Sequence, residues 1–185
     1  MPDSDYLLNK DERSFLLQLA HNVISKTANG ETPDKPEYFS STLSNKLGVF
    51  VTLHKFGELR GCIGFVEGIK PLQDAVIEMA QSAAFNDPRF ARVSPEEVND
   101  LDLEISVLSP IEEVNNIDDI QIGRHGLIIE QGFYKGLLLP QVATENNWDR
   151  TEFLQHTCRK SGLPIDAWKD KKTKIYYFSA EIFTE

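Results

Sequence analysis

Two long segments carry apolar residues at the spacing of an amphipathic helix. The first spans residues 10–28, where one face holds the apolar side chains. Those side chains are Phe15, Leu16, Leu19, Ala20, Val23 and Ile24. Asn9, followed three positions later by Glu12, has the pattern of a capping box, and Asn29-Gly30 is typical of a helix end. The pattern therefore predicts a helix over 10–28.

The second helical segment begins at Pro71, a residue suited to the first position of a helix. Its apolar face is built largely from small side chains: Leu72, Ala75, Val76, Met79, Ala80 and Ala83. Such a face can lie close to a sheet, and Asn86-Asp87-Pro88-Arg89 should end the helix. Two shorter helices are expected, one beginning at Ser94 with a capping box and one over 149–161, where Gly162 is the stop.

Strand patterns occupy much of the rest of the chain. Residues 48–55 and 58–66 are rich in β-formers and flank Phe56-Gly57, which predicts a hairpin. With a two-residue loop, Arg60 would lie opposite Leu53 and Cys62 opposite Val51. Residues 101–108 alternate apolar and polar side chains, as a half-buried strand does.

Three further strands are predicted towards the end of the chain. Residues 126–130 and 133–139 form a second hairpin about Gln131-Gly132, closed by Pro140, and residues 173–183 form the last strand. Residues 111–122 look like an irregular acidic link. Because hairpins dominate the connections, we expect an α+β fold with a mainly antiparallel sheet and flanking helices.

The composition fits one soluble domain. The chain has 185 residues, of which 41% are hydrophobic, enough to bury a core, so residues 1–185 are interpreted as one domain with a core at about 10–183 and room for two sub-lobes. No signal peptide pattern opens the sequence, and it has only two cysteines, Cys62 and Cys158. We therefore expect a cytoplasmic protein with reduced thiols and no membrane span.

The net charge of −10 bears on possible partners. Nucleic-acid binders usually carry basic stripes, and anionic membranes attract basic segments, so both partners are disfavoured here. One basic cluster stands out, formed by Lys169, Lys171, Lys172 and Lys174. It is interspersed with acidic residues and is interpreted as a solvated loop.

The segment 60–64, Arg-Gly-Cys-Ile-Gly, is the leading candidate for a site. Alternation along a strand would put Arg60 and Cys62 on one face. Glycines such as Gly61 and Gly64 inside a strand often mark a bulge or a close approach by a ligand. Cys62 is then a nucleophilic or redox thiol, or a small neighbour of an anion-binding Arg60. The competing interpretation is a buried cysteine that packs as a small hydrophobe.

Three other positions carry candidate chemistry. Asp87 and Arg89 are two residues apart in a loop and can pair with each other or hold an anion. His125, predicted in a loop between glycines, would serve as a base only if it lay near Cys62. Glu104 projects from the polar face of its strand. No metal-ligand spacing or phosphate-binding loop is present in the sequence.

Several ordered motifs resemble the AMMECR family, named for the Alport-syndrome, midface-hypoplasia and elliptocytosis chromosomal region. Leu-Arg-Gly-Cys-Ile-Gly at 59–64 is similar to the family's signature. The other similar motifs are Gly-Val-Phe-Val-Thr-Leu at 48–53, Asp-Pro-Arg-Phe at 87–90, Glu-Ile-Ser-Val-Leu-Ser-Pro at 104–110, His-Gly-Leu at 125–127 and Gly-Leu-Leu-Leu-Pro-Gln-Val-Ala at 136–143. The similarity extends over about residues 10–183.

The resemblance implies an α+β fold with two lobes around a cleft lined by the signature. It also implies a genomic association with a Memo-type protein and a radical S-adenosylmethionine enzyme, which are candidate partners. It implies no established reaction and no particular cofactor, and the family's tentative RNA-modification label is poorly supported by the acidic charge.

Two functions remain open at this point. The first is a cleft that binds a small anionic ligand or a partner protein. Its lining would be Arg60, Gly61, Gly64, Asp87, Arg89, Glu104 and Gln141. The second is an enzyme or enzyme component, in which Arg60 holds an anion, Cys62 is the nucleophile or thiol carrier and His125 is the base.

Overall fold

The computed structural model describes residues 8–34 and 40–185, which form two compact units. The first unit comprises the chain up to Leu108 together with Glu181–Glu185, and the second comprises Ser109–Ala180. Both contain antiparallel strands with flanking helices, so the expected α+β class is confirmed. No described helix is long and apolar enough to cross a bilayer.

Three antiparallel strands and two helices build the first unit. The helices are α1 (Lys10–Ala28) and α2 (Leu72–Phe85), and the strands are β1 (Val49–Lys55), β2 (Glu58–Phe65) and β3 (Leu101–Leu108). β1 lies between β2 and β3. Val49, Val51 and Leu53 of β1 and the odd-numbered residues of β3 are apolar and buried, and they pack with both helices in one core. The other face of the sheet carries the polar side chains.

Local signals set the helix ends as the sequence predicts. Asn9 and Glu12 form the expected capping box at the start of α1. Ser94 and Glu97 form another capping box before a short 3-10 helix, Pro95–Asp100. Each box satisfies backbone N–H groups that have no partner inside the helix.

The second unit has its own core around two short helices. Its strands are β4 (Glu112–Glu113), β5 (His125–Gln131), β6 (Tyr134–Leu138) and most of β7 (Lys174–Thr184), and its helices are α3 (Pro140–Glu145) and α4 (Arg150–Lys160). β5 pairs with both β6 and β7, and β4 pairs with β7. Phe153, Leu154 and Cys158 of α4 are fully buried in this core.

The second unit corrects three sequence predictions. The segment 111–122 is not entirely irregular, because it contains β4 and a short 3-10 helix at Ile117–Asp119. Pro140 does more than close a strand: it opens α3, where the missing N–H costs no helical hydrogen bond. His125 is not a loop residue, because it is the first residue of β5, paired with Ser179.

A bulge in β2 also corrects the predicted hairpin register. Gly61 lies opposite Leu53, and Cys62 lies opposite Thr52. The sequence had predicted Arg60 opposite Leu53 and Cys62 opposite Val51. His54 pairs with Leu59, so Arg60 is the extra residue on β2. The turn itself is as predicted, since Phe56 and Gly57 both have positive φ, as a two-residue hairpin turn of type I′ requires.

Candidate functional site

The bulge separates the side chains of Arg60 and Cys62, which alternation had placed on one face. Arg60 joins Lys55 at the carboxylate of Glu97: Arg60 donates from Nε and Nη2 at 3.3 and 3.1 Å, and Lys55 donates at 3.0 Å. Cys62 instead lies beside Thr52. The prediction of a shared face was wrong because one inserted residue reverses the alternation.

The charge of Arg60 is therefore matched within the first unit. Hydrogen bonds from Arg60 and Lys55 hold the pKa of Glu97 at about 2. The guanidinium is largely buried, with 14% of its side chain exposed. Glu97 also accepts the backbone N–H of Ser94, so Arg60 ties the bulge of β2 to the 3-10 helix. The network pairs the charge of Arg60, whereas its Nη1 is buried without a hydrogen-bond partner among the described residues.

Cys62 lies on the face of the sheet that the helices leave open. The Thr52 hydroxyl donates to the Cys62 sulfur at 3.2 Å, and the thiol is partly exposed. Glu104 of β3 lies opposite Thr52 on the other side. Because residues paired across antiparallel strands share a face, Cys62, Thr52 and Glu104 form a row across three strands.

The loop after α2 closes the outer edge of β2 at Cys62. One carboxylate oxygen of Asp87 accepts the Cys62 N–H at 3.0 Å, and Arg89 Nη2 donates to the Cys62 carbonyl at 3.1 Å. Arg89 also donates to Asp87 from Nε at 2.9 Å and from Nη2 at 2.7 Å. Asp87 and Arg89 thus bind the backbone N–H and carbonyl of Cys62, which point away from β1.

The two members of this pair differ sharply in exposure. The Asp87 side chain is 1% exposed, whereas the Arg89 side chain is 53% exposed. Hydrogen bonds from Arg89 hold the pKa of Asp87 well below its usual range, against the opposing effect of burial. Arg89 Nη1 has no acceptor among the described residues, and the half-exposed guanidinium is fixed by Asp87 beside the backbone of Cys62.

Close packing explains why positions 61 and 64 of the signature are glycines. A Cβ on Gly61 would lie 2.2 Å from the carbonyl oxygen of Ala83 in α2. A Cβ on Gly64 would lie 2.3 Å from the ring of Phe50. Gly61 leaves room for helix α2 and Gly64 leaves room for the ring of Phe50. Close packing therefore explains both glycines without a ligand.

His125 and Gln141 belong to the second unit. His125 is 7% exposed and stacks on Tyr177 with ring centroids 4.4 Å apart, and its Nδ1 accepts the Gln121 N–H at 3.2 Å. Burial, with the charge of Arg124, lowers the pKa of His125, so the ring is neutral at neutral pH. Gln141 lies in α3, and its Oε1 is buried without a partner among the described residues.

Sequence comparison identifies the family. The family model described as AMMECR1 matches residues 17–183. This chain belongs to the AMMECR1 family. A protein of Methanothermobacter thermautotrophicus is 49% identical, with 96% of each chain covered, and one of Methanocaldococcus jannaschii is 46% identical, with 97% of this chain and 92% of the other covered.

A solved structure supports the fold of this AMMECR1 chain. The crystal structure of an uncharacterized protein from Pyrococcus horikoshii has a TM-score of 0.89 and 43% identity, and the match covers 97% of this chain and 94% of that one. These comparisons support the fold and the family, and the names of the relatives state no activity. The chemistry must therefore be argued from the residues of the site.

Sequence reasoning found most members of this AMMECR1 site but not their connections. It singled out Cys62, Asp87, Arg89 and Glu104, and the structure brings the first three into direct contact. It missed Thr52, because the expected register put Val51 opposite Cys62. Gly61, beside Arg60, was the sequence signal for a β-bulge. A bulge there shifts the pairing by one residue and brings Thr52 opposite Cys62.

Proposed function

We propose that the open sheet face of the first unit binds a small ligand with an anionic group at one end and a hydrogen-bond donor at the other. The half-exposed Arg89 beside Cys62 carries the proposal. Its bond to Asp87 fixes the guanidinium plane and leaves Nη1 to contact an anion.

Glu104, at the far end of the row across the strands, is the proposed partner of the ligand's hydrogen-bond donor. Neighbouring strands are roughly 4.8 Å apart, so β2 and β3 are separated by roughly 10 Å. Glu104 lies at the β3 end of the row, where a carboxylate would repel an anion but accept hydrogen bonds from a donor such as an ammonium group. Cys62 lies in the row between Arg89 and Glu104 with a partly exposed thiol, and the buried Thr52 donates its hydroxyl to that sulfur.

A ligand panel tests this proposal. Thermal unfolding would be followed with acetate, phosphate, glycine, β-alanine and γ-aminobutyrate, because a ligand that binds only the folded state raises the melting temperature. We expect stabilisation by γ-aminobutyrate, whose two charged groups lie farthest apart in this panel, and its loss in Arg89→Gln and Glu104→Gln, each measured against its own ligand-free protein.

The chain offers a matched control for the charge at Arg89. Arg92 is exposed three residues later, packs over Phe85 and makes no contact with Cys62. Arg92→Gln should keep the ligand response of the wild-type protein. If Arg92→Gln loses the response as fully as Arg89→Gln, or if no compound raises the melting temperature, the proposal is wrong.

A second function, catalysis through the Cys62 sulfur, is favoured by one observation. The Thr52 hydroxyl donates to Sγ at 3.2 Å, so the hydrogen bond holds a partly exposed sulfur in place. The charge of Arg60 is paired with Glu97, so an anion in such an enzyme would meet only the Nη1 group of Arg60, which has no partner among the described residues. A catalytic role of His125 remains a prediction of the sequence.

Alkylation by iodoacetamide between pH 5 and 9 measures this reactivity. We expect Cys62 of the native protein to react and Cys158 to stay protected, because Cys158 is fully buried and burial raises its pKa. Thr52→Val should slow the reaction of Cys62 at neutral pH. Peptide mass spectrometry separates the two sites, and equal protection of both thiols until unfolding would contradict sulfur chemistry.

A further inference from the structure

The tip of the β5–β6 hairpin in the second unit exposes two adjacent aromatic side chains. Phe133 is fully exposed and Tyr134 is 57% exposed. Gly132, with φ of 61°, precedes Phe133 in the two-residue turn between Gln131 and Tyr134. Nothing in the packing of the second unit requires an aromatic residue at this turn. Exposed aromatic side chains are the residue type that most often anchors a protein interface.

The end of helix α4 lies on one side of this tip. A Cβ on Gly162 would lie 3.4 Å from the Tyr134 ring, and a Cβ on Gly136 would lie 2.6 Å from the Ser161 nitrogen. The last turn of α4, which carries Arg159 and Lys160, therefore lies beside β6. Both basic side chains are exposed.

A second basic segment lies on the other side of the tip. Gln131, immediately before the turn, donates to Asp170 at 3.1 Å. That bond holds the loop that carries Lys171 and Lys172 against the end of β5, and both lysines are exposed. The sequence showed these lysines only as a solvated loop, whereas the fold places them next to an exposed aromatic pair.

The charges at the tip are largely uncompensated. Within the described chain, Arg159, Lys160, Lys171 and Lys172 make no ion pair. Lys135 of β6 lies 3.7 Å from Glu130, and the loop carries two acidic residues, Asp170 and Asp166, of which Asp166 pairs with Lys169. The second unit holds nine of the 19 basic residues and ten of the 29 acidic ones, so the first unit carries nearly all the net charge of −10.

We propose that this tip, defined by Phe133, Tyr134, Arg159, Lys160, Lys171 and Lys172, is a docking surface for a short acidic segment of a partner protein that carries an apolar side chain. The apolar side chain would pack on Phe133 and Tyr134, and its flanking carboxylates would pair with the basic residues. The proposal is independent of the ligand site in the first unit.

The distribution of charge in the chain favours a short acidic peptide over a larger polyanion as the occupant of the tip. A nucleic acid or an anionic membrane extends well beyond the tip and would meet the field of a chain with net charge −10. A short segment meets mainly the local basic residues, because salt screens charges beyond roughly 8 Å. The observations therefore favour the peptide.

Fluorescence anisotropy tests the surface with a labelled octapeptide of six Asp and Glu residues around a central Leu-Phe pair. We expect saturable binding to the full chain that weakens at least tenfold between 50 and 500 mM salt. A peptide with Asn and Gln in place of the acidic residues should bind at least tenfold more weakly. Equal binding of the two peptides, or no binding of the acidic one at 1 mM protein, would overturn the proposal.

Matched variants locate the binding. Phe133→Ser and the double variant Arg159→Glu, Lys160→Glu should each weaken binding at least tenfold. Phe56→Ser removes the exposed aromatic of the other hairpin turn, in the first unit, and should leave binding unchanged. Equal effects of Phe133→Ser and Phe56→Ser would exclude the tip as the site.

Three further measurements examine other occupants of the tip. Light scattering would detect self-association lost in Phe133→Ser, which would make a second copy of the chain the occupant. Tighter binding of an oligothymidylate than of the peptide would assign the tip to nucleic acid, and binding to phosphatidylserine vesicles would assign it to membranes. Each of these results would overturn the acidic-peptide proposal.

Discussion

Gly61→Ala will destabilise the protein by about 3 kcal/mol, at the upper end of the usual cost of overpacking. The added methyl group would lie 2.2 Å from the Ala83 carbonyl oxygen, and this neighbour is backbone of α2, which cannot rotate away. Either the helix must move from the sheet or β2 must shift. Urea unfolding followed by circular dichroism measures the loss as a lower midpoint with an unchanged slope.

Gly57→Ala is the control for the backbone contribution. Gly57 lies in the turn of the same hairpin with φ of 82°, and its Cβ would meet no atom within 4 Å. That change should cost about 1 kcal/mol, from the left-handed conformation alone. If the two alanine variants lose the same free energy of unfolding, close packing of α2 against β2 does not explain the glycine at position 61.

Signals that act within a few residues were readable from the sequence. The capping boxes that begin α1 and the 3-10 helix at Pro95–Asp100 set those starts because the cap and its partner are three positions apart. The β1–β2 turn was readable as well, because Phe56-Gly57 stands between two β-rich runs. These elements establish the α+β class without knowledge of tertiary contacts.

The hairpin register depends on a distant contact and could not be read from the strand itself. Arg60 is the extra residue of the bulge, and its guanidinium pairs with Glu97, 37 residues later. Alternation along β2 gives no sign of this, so the predicted pairing was shifted by one residue. The shift separates Arg60 from Cys62 and brings Thr52 to the thiol.

The same limit applies to the candidate site. The sequence identified Cys62 and the Asp87–Arg89 pair as separate candidates, because no local rule connects positions 25 residues apart. The structure connects them through the backbone of Cys62. The basic tip of the second unit shows the same effect, since three separate stretches of chain meet at one hairpin turn.

Asp87→Ala is expected to be the most informative change at the site. The carboxylate accepts hydrogen bonds from Cys62 and Arg89 while almost fully buried. Its removal leaves the Cys62 N–H without that acceptor, and the loss should be about 3 kcal/mol at pH 7, because breaking a buried pair costs about 3–5 kcal/mol and Arg89 is half exposed. Asp74→Ala, an exposed carboxylate in the first turn of α2, should cost about 0.5 kcal/mol.

The pH dependence of Asp87→Ala separates charge from packing. The folded pKa of Asp87 lies well below its usual range, so its ionised form contributes its full stability above the ordinary carboxyl pKa of about 3.9. That contribution falls as the pH drops below about 4 towards the folded pKa. Urea unfolding of wild type and Asp87→Ala at pH 7, 5, 4 and 3 should therefore show a constant gap down to pH 5 and a narrowing gap below pH 4. A gap that stays constant down to pH 3 would mean that Asp87 stabilises the edge of β2 by packing, and that the charge fixing Arg89 beside Cys62 contributes little.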